Sequence, residues 1–270
     1  MVRVVSKDLD IAKIADSGQC FRLLSEGGGR WTLYALGRSL AVEAREDGAD
    51  FLCSREEFDA VWRDYFDLDT DYARFRASIP PEDRYLTEAA RFGRGIRILR
   101  QDPWETLVTF LISQRKNIPA IRRSVEALCG RCGGPSGAGR PAFPSPARVA
   151  ALSADDLAAC SLGYRCRYVA SAAALAADGR LDLSALSALG TPALLEALTA
   201  VPGVGPKVAS CVALFAYHRL EGFPRDVWIN RIIDREYGGC FCPERCEGFQ
   251  GVAQQYLFYY ARSGAPVPAR

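Results

Sequence analysis

The chain has 270 residues, of which 49% are hydrophobic, and its formal net charge is +2. A chain of that length is long enough to form the hydrophobic core of one large domain, or of two smaller domains that share an interface. No apolar run approaches the roughly 18 residues of a membrane-spanning helix. The polar N-terminal segment is unlike a signal peptide, which predicts a cytoplasmic protein, nucleoid-associated if the source is prokaryotic. Histidine triads and His-rich metal sites are excluded, because His218 is the sole histidine.

Cysteine and lysine usage narrows the chemistry further. The ten cysteines are predicted to be mostly reduced and buried, because the chain is long and carries no export signal. Only four of the 34 basic residues are lysines, so each lysine merits attention: Lys7, Lys13, Lys116 and Lys207.

The pattern changes from strands to helices along the chain. Residues 31–53 alternate apolar and polar positions in three runs, with breaks at 37–38 and 46–48, which predicts an antiparallel meander. From about residue 55 the pattern is helical, with helix starts at Asp102-Pro103, at Ser153 with Asp156, and at Thr191-Pro192. Residues 133–146, rich in Gly and Pro, indicate a surface loop. We therefore predict an α+β protein: an N-terminal antiparallel β-sheet subdomain with short helices over residues 1–98, and a helical body over 99–270.

The most specific segment is LTAVPGVGPKVASC, residues 198–211. Pro202, Gly203 and Gly205 end one helix, and the next begins at Pro206-Lys207, so the segment is a helix, a tight turn and a helix. Glycine N–H groups and a helix N-terminus that face one point attract a phosphate. An ordinary turn between helices would explain the glycines alone, but the spacing P-G-V-G-x-K is more specific.

Lys207 lies in the first turn of a helix whose following residues are almost all apolar. Both the helix N-terminus and the apolar surroundings disfavour a positive charge, which favours a neutral, nucleophilic amine. A lysine that extends to a phosphate is an equally good interpretation of the sequence alone. Asp226, 19 residues further on, is predicted to cap the next helix, and a capping carboxylate can also stabilise positive charge on a sugar.

Several motifs in the same order and spacing resemble the helix-hairpin-helix DNA glycosylase superfamily, and in particular its 8-oxoguanine DNA glycosylases. Besides the hairpin and PRDV, the matching segments are SGQCFR (17–22), LRQDPWETLVTFLISQ (99–114), SLGYRCRYV (161–169) and AQQYLF (253–258). The resemblance covers nearly the whole chain. It implies that Lys207 and Asp226 are catalytic, that the helical body is a glycosylase domain, and that the reaction needs no cofactor or metal.

The resemblance also assigns the remaining site residues. Gly18 would read the N7–H of the lesion through its carbonyl, while Phe258 and Cys211 would contact the faces of the flipped base and Gln254 its Watson–Crick edge. Tyr164 would be the wedge and Arg165 a contact to the unpaired base, whereas a solvated helix end is the alternative for both. The remaining predicted DNA contacts are Arg115, Asn117, Gly203, Val204 and Gly205. Lys116, Arg122 and Arg123 are expected near the same surface.

Three departures from the family are visible. Arg115 stands where better-known members have an asparagine, and Ala120 where they have an arginine on the opposite cytosine, which puts opposite-base selectivity in doubt. Trp228 replaces a histidine near the phosphate. Cys240, Cys242 and Cys246 do not match the four-cysteine loop of iron–sulfur glycosylases, and Cys129 and Cys132 lie far off in sequence, so no cluster is predicted; structural zinc is the less favoured alternative.

The sequence therefore predicts a glycosylase and AP lyase that flips and excises 8-oxoguanine from double-stranded DNA through a lysine Schiff base, acting as a monomer without a membrane. Two alternatives stay open: a related glycosylase for adenine or alkylated bases, and a helix-hairpin-helix protein that only binds DNA. Monofunctional relatives lack the lysine, and a DNA-binding protein would leave an amine beside an aspartate unexplained.

Overall fold

The computed structural model describes residues 1–136 and 139–264. Residues 137 and 138 of the predicted loop, and 265–270 of the predicted helical body, lie outside the described residues. A five-stranded antiparallel sheet precedes an array of helices, so the predicted α+β class is confirmed. Within the described ranges no helix has the length and apolar character needed to cross a membrane.

The sheet has the strand order β1-β5-β4-β3-β2, with every neighbouring pair antiparallel. Its strands are β1 (Val2–Val5), β2 (Leu23–Gly27), β3 (Arg30–Ala35), β4 (Arg38–Arg45) and β5 (Gly48–Phe51). The predicted meander is confirmed as β3, β4 and β5, whereas the two edge strands were not predicted. Gly48 makes the β1–β5 pairing possible, because its φ is +150° and a Cβ there would lie 2.0 Å from the Val4 carbonyl oxygen.

Fourteen α-helical segments follow one another in the described part of the chain. They are α1 (Ile11–Asp16), α2 (Arg55–Glu57), α3 (Arg63–Tyr65), α4 (Tyr72–Ser78), α5 (Arg84–Phe92), α6 (Pro103–Ser113), α7 (Ile118–Cys132), α8 (Pro146–Ala150), α9 (Ala154–Ala159), α10 (Cys166–Ala177), α11 (Thr191–Thr199), α12 (Pro206–Phe215), α13 (Val227–Glu236) and α14 (Gln250–Arg262). A π-helical turn, Phe58–Trp62, joins α2 to α3.

Local capping chemistry explains where several helices begin. Asp102 accepts a hydrogen bond from the Glu105 N–H at the start of α6, and Ser153 forms a reciprocal capping box with Asp156 at the start of α9. Both predicted starts are confirmed. Helix α11 begins at Thr191 as predicted, but its N-cap is Gly190, which supplies no side-chain bond.

Two hydrophobic cores lie behind these elements. One fills the space between the sheet, α1 and the α2–α3 segment; the other fills the helical body. Helices α4 and α5 belong to the second core, to which they contribute Tyr72, Phe75 and Leu86. Packing therefore assigns these two helices to the helical body although they precede residue 99, and the division at residue 98 stays a prediction.

His218 has a structural environment, as its position after an apolar helix predicts. Its Nε2 lies 3.1 Å from Asp67 Oδ2, and both side chains are less than 10% exposed. Asp67 also accepts from the Tyr72 hydroxyl. The pair joins the segment after α3 to the end of α12.

The hairpin consists of α11, a turn over residues 200–205, and α12. Gly203 has a φ of +87°, and a Cβ on it would lie 2.3 Å from Tyr168 Cγ, whereas Gly205 is the extended N-cap of α12 and a Cβ there would meet open space. Only the first glycine is required by the packing.

This difference predicts unequal effects of alanine at the two glycines. Gly203→Ala should lower the free energy of unfolding by about 1–3 kcal/mol, because it forces a strained backbone conformation and a clash with Tyr168. Gly205→Ala should change it by only about 0.5 kcal/mol. Urea denaturation measures both, and equal losses would contradict the packing described here.

Candidate active site

A cleft of about 1010 Å³ gathers residues from both ends of the chain and from the hairpin. Eight of the predicted site residues line it: Gly18, Arg115, Asn117, Tyr164, Gly205, Lys207, Asp226 and Phe258. Among its described lining residues are six basic side chains and two carboxylates, so the cleft favours an anionic ligand.

Lys207 occupies the first turn of α12 and is half-buried. Its Nζ lies 5.2 Å from the centroid of the Phe110 ring. Among the described residues it forms no ion pair, so its amine is not neutralised by a carboxylate. The amine thus lies over an aromatic ring in the first turn of the helix, at the edge of the cleft.

Cys211 lies one turn after Lys207 on the same helix and is buried. Burial raises the pKa of its thiol, an effect that the neighbouring Lys207 opposes through its charge and a hydrogen bond. The thiol is therefore a neutral neighbour of the amine. Cys211 contacts the lysine without lining the cleft itself, and its predicted contact with a base stays a prediction.

Asp226 is the N-cap of α13, as predicted. Its Oδ1 accepts from the Ile229 N–H at 2.8 Å, while Oδ2 accepts no hydrogen bond from the described residues. The carboxylate is close enough to Cys211 to raise the pKa of that thiol slightly. One oxygen thus fixes the side chain, and the other remains available to a positive charge in the cleft.

Gly18 and Phe258 together form one wall of the cleft, the pocket wall. Gly18 has a φ of +80°, and a Cβ on it would lie 3.2 Å from both Phe258 Cε1 and Ile118 Cδ1. The Gly18 carbonyl accepts no hydrogen bond from the described residues. The wall therefore combines a backbone acceptor with an aromatic ring, and a larger side chain at Gly18 would be crowded by Phe258 and Ile118.

Gln254 lies one turn before Phe258 on α14 but is only 4% exposed. Its Oε1 accepts from Gln255 Nε2 at 3.1 Å. Gln254 is not among the residues that line the cleft. Its predicted hydrogen bond to a base stays a prediction, and it would require the side chain to adopt another rotamer or its neighbours to move.

Tyr164 and Arg165 have different environments. Tyr164 is 47% exposed at the cleft, whereas Arg165 is 6% exposed. The Arg165 guanidinium donates to the carbonyls of Leu162 and Gln114 and lies 4.4 Å from the centroid of the Tyr164 ring. A solvated helix end is therefore wrong for Arg165. The Arg165 side chain packs against the Tyr164 ring. Its predicted contact with an unpaired base would require its hydrogen bonds to Leu162 and Gln114 to break.

The segment between α6 and α7, residues 114–117 (the α6–α7 link), supplies further residues of the cleft. Gln114 Nε2 donates to the Gly203 carbonyl at 3.2 Å and so ties the link to the hairpin. Asn117 caps α7 by accepting from the Ala120 N–H at 2.9 Å. Arg115, with a φ of +52°, is exposed, and Ala120 offers the cleft no side-chain donor.

Lys116 also lines the cleft, but its amine is engaged. Nζ donates to Ser124 Oγ and to the Ser161 carbonyl, both at 2.5 Å. Burial, followed by the charges of Arg165 and Arg123, lowers the pKa of this lysine. Lys116 therefore holds the α6–α7 link, whereas Lys207 has only the Cys211 thiol and the Phe110 ring beside its amine among the described residues.

The hairpin offers fewer unbonded N–H groups than the sequence predicts. The Val204 N–H donates to the Val201 carbonyl at 3.0 Å, and the Val204 side chain is buried. Its N–H is thus occupied by the turn itself. The N–H groups of Gly203 and Gly205 meet no acceptor among the described residues, and their predicted contact with a phosphate stays a prediction.

The cysteines are all unpaired in the described part of the chain, and six of the ten are buried. Cys240 and Cys242 are exposed, and Cys246 is buried. Across residues 1–136 and 139–264 no group of three or more His, Cys, Asp or Glu side chains is arranged to hold a metal.

Among the lining residues to which sequence reasoning assigned no role are Phe110 and Arg262. The ring of Phe110 looked like core because its neighbours on α6 are apolar. Arg262 Nη2 lies 2.7 Å from Asp16 Oδ2, and its guanidinium is 5.6 Å from the centroid of the Phe258 ring. The spacing of Phe258 and Arg262, four residues apart on one helix, was the available signal.

Comparison with known proteins identifies the family to which the chain is similar. Residues 1–107 match the model of the 8-oxoguanine DNA glycosylase N-terminal domain, and residues 108–239 match that of the HhH-GPD superfamily of base excision DNA repair proteins. The structure of MBOgg1 in complex with a low-affinity DNA ligand is 36% identical, with a TM-score of 0.90 over 96% of this chain and 93% of that one.

Two further relatives agree. The Clostridium acetobutylicum 8-oxoguanine glycosylase/lyase, in complex with double-stranded DNA containing cytosine opposite 8-oxoG, is 31% identical, with a TM-score of 0.88 over 95% of this chain and 93% of that one. A probable N-glycosylase/DNA lyase of Methanothermobacter thermautotrophicus is 28% identical over 73% of this chain and 72% of its own length. The chain belongs to the HhH-GPD superfamily and, within it, to the 8-oxoguanine DNA glycosylases.

The wall at Gly18 yields a prediction. Gly18→Ala should slow lesion excision at least tenfold, because the new methyl crowds Phe258 and Ile118 and strains a backbone with positive φ. Gly28→Ala is the matched control: its φ is also positive, at +59°, but a Cβ there meets nothing within 4 Å. Single-turnover excision by the two folded variants separates backbone strain from loss of the wall; similar rates would contradict the role of Gly18.

Proposed function

We propose that this protein is a bifunctional DNA glycosylase and AP lyase that excises 8-oxoguanine from duplex DNA, with Lys207 as nucleophile. The observation that carries the proposal is the meeting, in one cationic cleft, of Lys207, Asp226 and a pocket wall made by Gly18 and Phe258. Among the described residues the lysine has no ion pair, and the second oxygen of the aspartate accepts no hydrogen bond. The Clostridium relative, which is a glycosylase/lyase by name, supports the assignment of both activities.

The wall suits the lesion. 8-Oxoguanine carries an N7–H donor where guanine has an acceptor, so the free Gly18 carbonyl accepts from the damaged base and repels the normal one. Phe258 offers its ring to the face of a base that has left the stack. Discrimination thus rests on one backbone oxygen held in place by a left-handed glycine conformation.

The chemistry follows from the amine. Lys207 Nζ attacks C1′ of the flipped nucleotide, the C1′–N9 bond breaks, and its electron pair leaves with the base, which takes up a proton. Asp226 stabilises the positive charge that develops on the sugar. Opening of the sugar gives an imine with the lysine; loss of a C2′ proton then expels the 3′ phosphate by β-elimination, which nicks the strand.

The rest of the cleft serves the duplex. The N–H groups of Gly203 and Gly205 and the N-terminus of α12 bind a backbone phosphate, and Tyr164 fills the space left by the flipped base. Arg115 and Asn117 contact the DNA from the α6–α7 link. A single chain supplies every residue in this scheme, so we assign it a monomer, which acts in the cytoplasm or, in a prokaryote, at the nucleoid; light scattering tests the monomer.

Lys207→Gln tests the nucleophile. The variant should still bind lesion duplex but should lose base release and covalent trapping by borohydride, because glutamine cannot form an imine. Lys116→Gln removes the other lysine of the cleft and should still be trapped. Trapping of Lys207→Gln would refute the assignment.

Asp226→Asn tests the carboxylate. Asparagine still caps α13, so the free energy of unfolding should stay within about 1 kcal/mol, while excision should fall by about two orders of magnitude or more because the charge is lost. Asp71→Asn, at the N-cap of α4, is the control for removal of a capping charge elsewhere. Excision near the parent rate in a folded Asp226→Asn variant would reduce Asp226 to a cap.

A further inference from the structure

Two exposed hydrophobic side chains beside the active site have no place in the scheme above. Seven large hydrophobic residues are exposed in the described part of the chain, and three of them line the cleft: Tyr164, Val227 and Trp228. Tyr164 is the wedge. Val227 and Trp228, 63% and 39% exposed, directly follow Asp226 and are unexplained.

The packing of α13 does not require them. The helix faces the core with Ile229, Ile232 and Ile233, which are buried. Val227 and Trp228 lie in its first turn, outside that apolar stripe, where a solvated helix usually carries polar side chains. Neighbouring apolar residues on the rim of a charged cleft indicate a contact with a ligand.

The side chains around them are suited to nucleic acid. The Arg231 guanidinium lies 5.8 Å from the centroid of the Trp228 ring, and Arg225, which lines the cleft, donates to Asn230 Oδ1 at 3.0 Å. Neither arginine forms an ion pair with the described residues. An aromatic face beside one guanidinium group, with a second arginine in the same cleft, is suited to hold a strand by base and sugar contacts while its phosphates are neutralised.

We propose that Val227 and Trp228 form a platform for the damaged strand, contacting the deoxyribose and the exposed base face of the nucleotide adjoining the flipped one. This inference rests on the proposed function, because flipping is what unstacks that neighbour. The platform is continuous with Asp226, so it fixes the strand beside the carboxylate that acts on the sugar.

Tryptophan fluorescence tests the contact directly. The chain has four tryptophans; Trp62 and Trp104 are buried, Trp31 lies in the sheet, and Trp228 lines the cleft. In a Lys207→Gln background, which blocks turnover, a duplex containing 8-oxoguanine opposite cytosine should quench the emission. The quench should persist with Trp31→Phe and disappear with Trp228→Phe.

Binding constants measure the platform's contribution. Trp228→Ala should raise Kd for the same duplex about tenfold, as expected for loss of one stacking contact, whereas Trp228→Phe should stay within about threefold. Leu52→Ala is the matched control, since Leu52 is 40% exposed but outside the cleft lining; its Kd should not change.

The dependence of Kd on salt separates a stacking contact from a phosphate contact. Trp228→Ala should leave the slope of log Kd against log salt unchanged, because no charge is removed, while Arg225→Gln should reduce it by about one. A reduced slope in Trp228→Ala, or parent affinity without any quench, would overturn the platform. If Trp228→Ala does not fold, the quench in the Trp31→Phe and Trp228→Phe pair decides.

Failure of the platform is distinguishable from failure of the proposed function. Borohydride trapping and base release by the protein with Lys207 intact report the glycosylase and lyase, whatever Trp228 does. Quenching and Kd in the Lys207→Gln background report the platform, whether or not excision occurs.

Discussion

The ring of Phe110 is the contact on which the active site depends. It stacks on Phe215 at 5.5 Å between centroids, meets the edge of Phe21 at 6.0 Å, and lies under the Lys207 amine. Because Phe110 and Phe215 belong to α6 and α12, their stacking sets the position of the helix that carries the lysine. Phe21 brings the loop that bears Gly18 to the same point. One side chain thus fixes Lys207 and the pocket wall relative to each other.

Around this contact the positive charges fall into two groups. Lys116 and Arg165 are bonded to carbonyls and hold the α6–α7 link, the hairpin and Tyr164 together. Arg115, Lys207, Arg225 and the glycine N–H groups have no carboxylate partner among the described residues and face the cleft. The first group supports the framework, and the second meets the ligand. A net charge near zero for the chain therefore conceals a strongly polarised surface, which attracts a polyanion to the place where the amine lies.

Features set by local chemistry were predictable from the sequence. The meander follows from alternating residues and turn glycines, the caps at Asp102, Ser153 and Asp226 from residue type and spacing, and the hairpin from its Pro and Gly pattern. The edge strands β1 and β2 were missed because runs of four and five residues are too short to establish a period.

The burial of Arg165 and the bonding of Lys116 could not be predicted, since they depend on Gln114 and Ser161, which are far away in sequence. The Val204 N–H bonds locally to Val201, in a turn whose hydrogen bonds the Pro and Gly pattern does not specify. The roles of Gly18 and Phe258 came from family resemblance, because a lone glycine or phenylalanine looks like a turn or a core residue. Their contact in the structure supplies the physical reason that composition and periodicity could not.

The contacts that complete the pocket wall join the two ends of the described chain. Gly18 and Phe258 are 240 positions apart, and the Arg262 side chain reaches back to Asp16 across the same gap. Contacts between such distant positions close the longest loops in the chain and form late, after shorter-range structure is in place. During synthesis the hairpin and Lys207 emerge before α14, so the helix that carries the lysine is made before the helix that completes the pocket wall. The wall of the cleft is complete only when α14 has docked on the N-terminal segment.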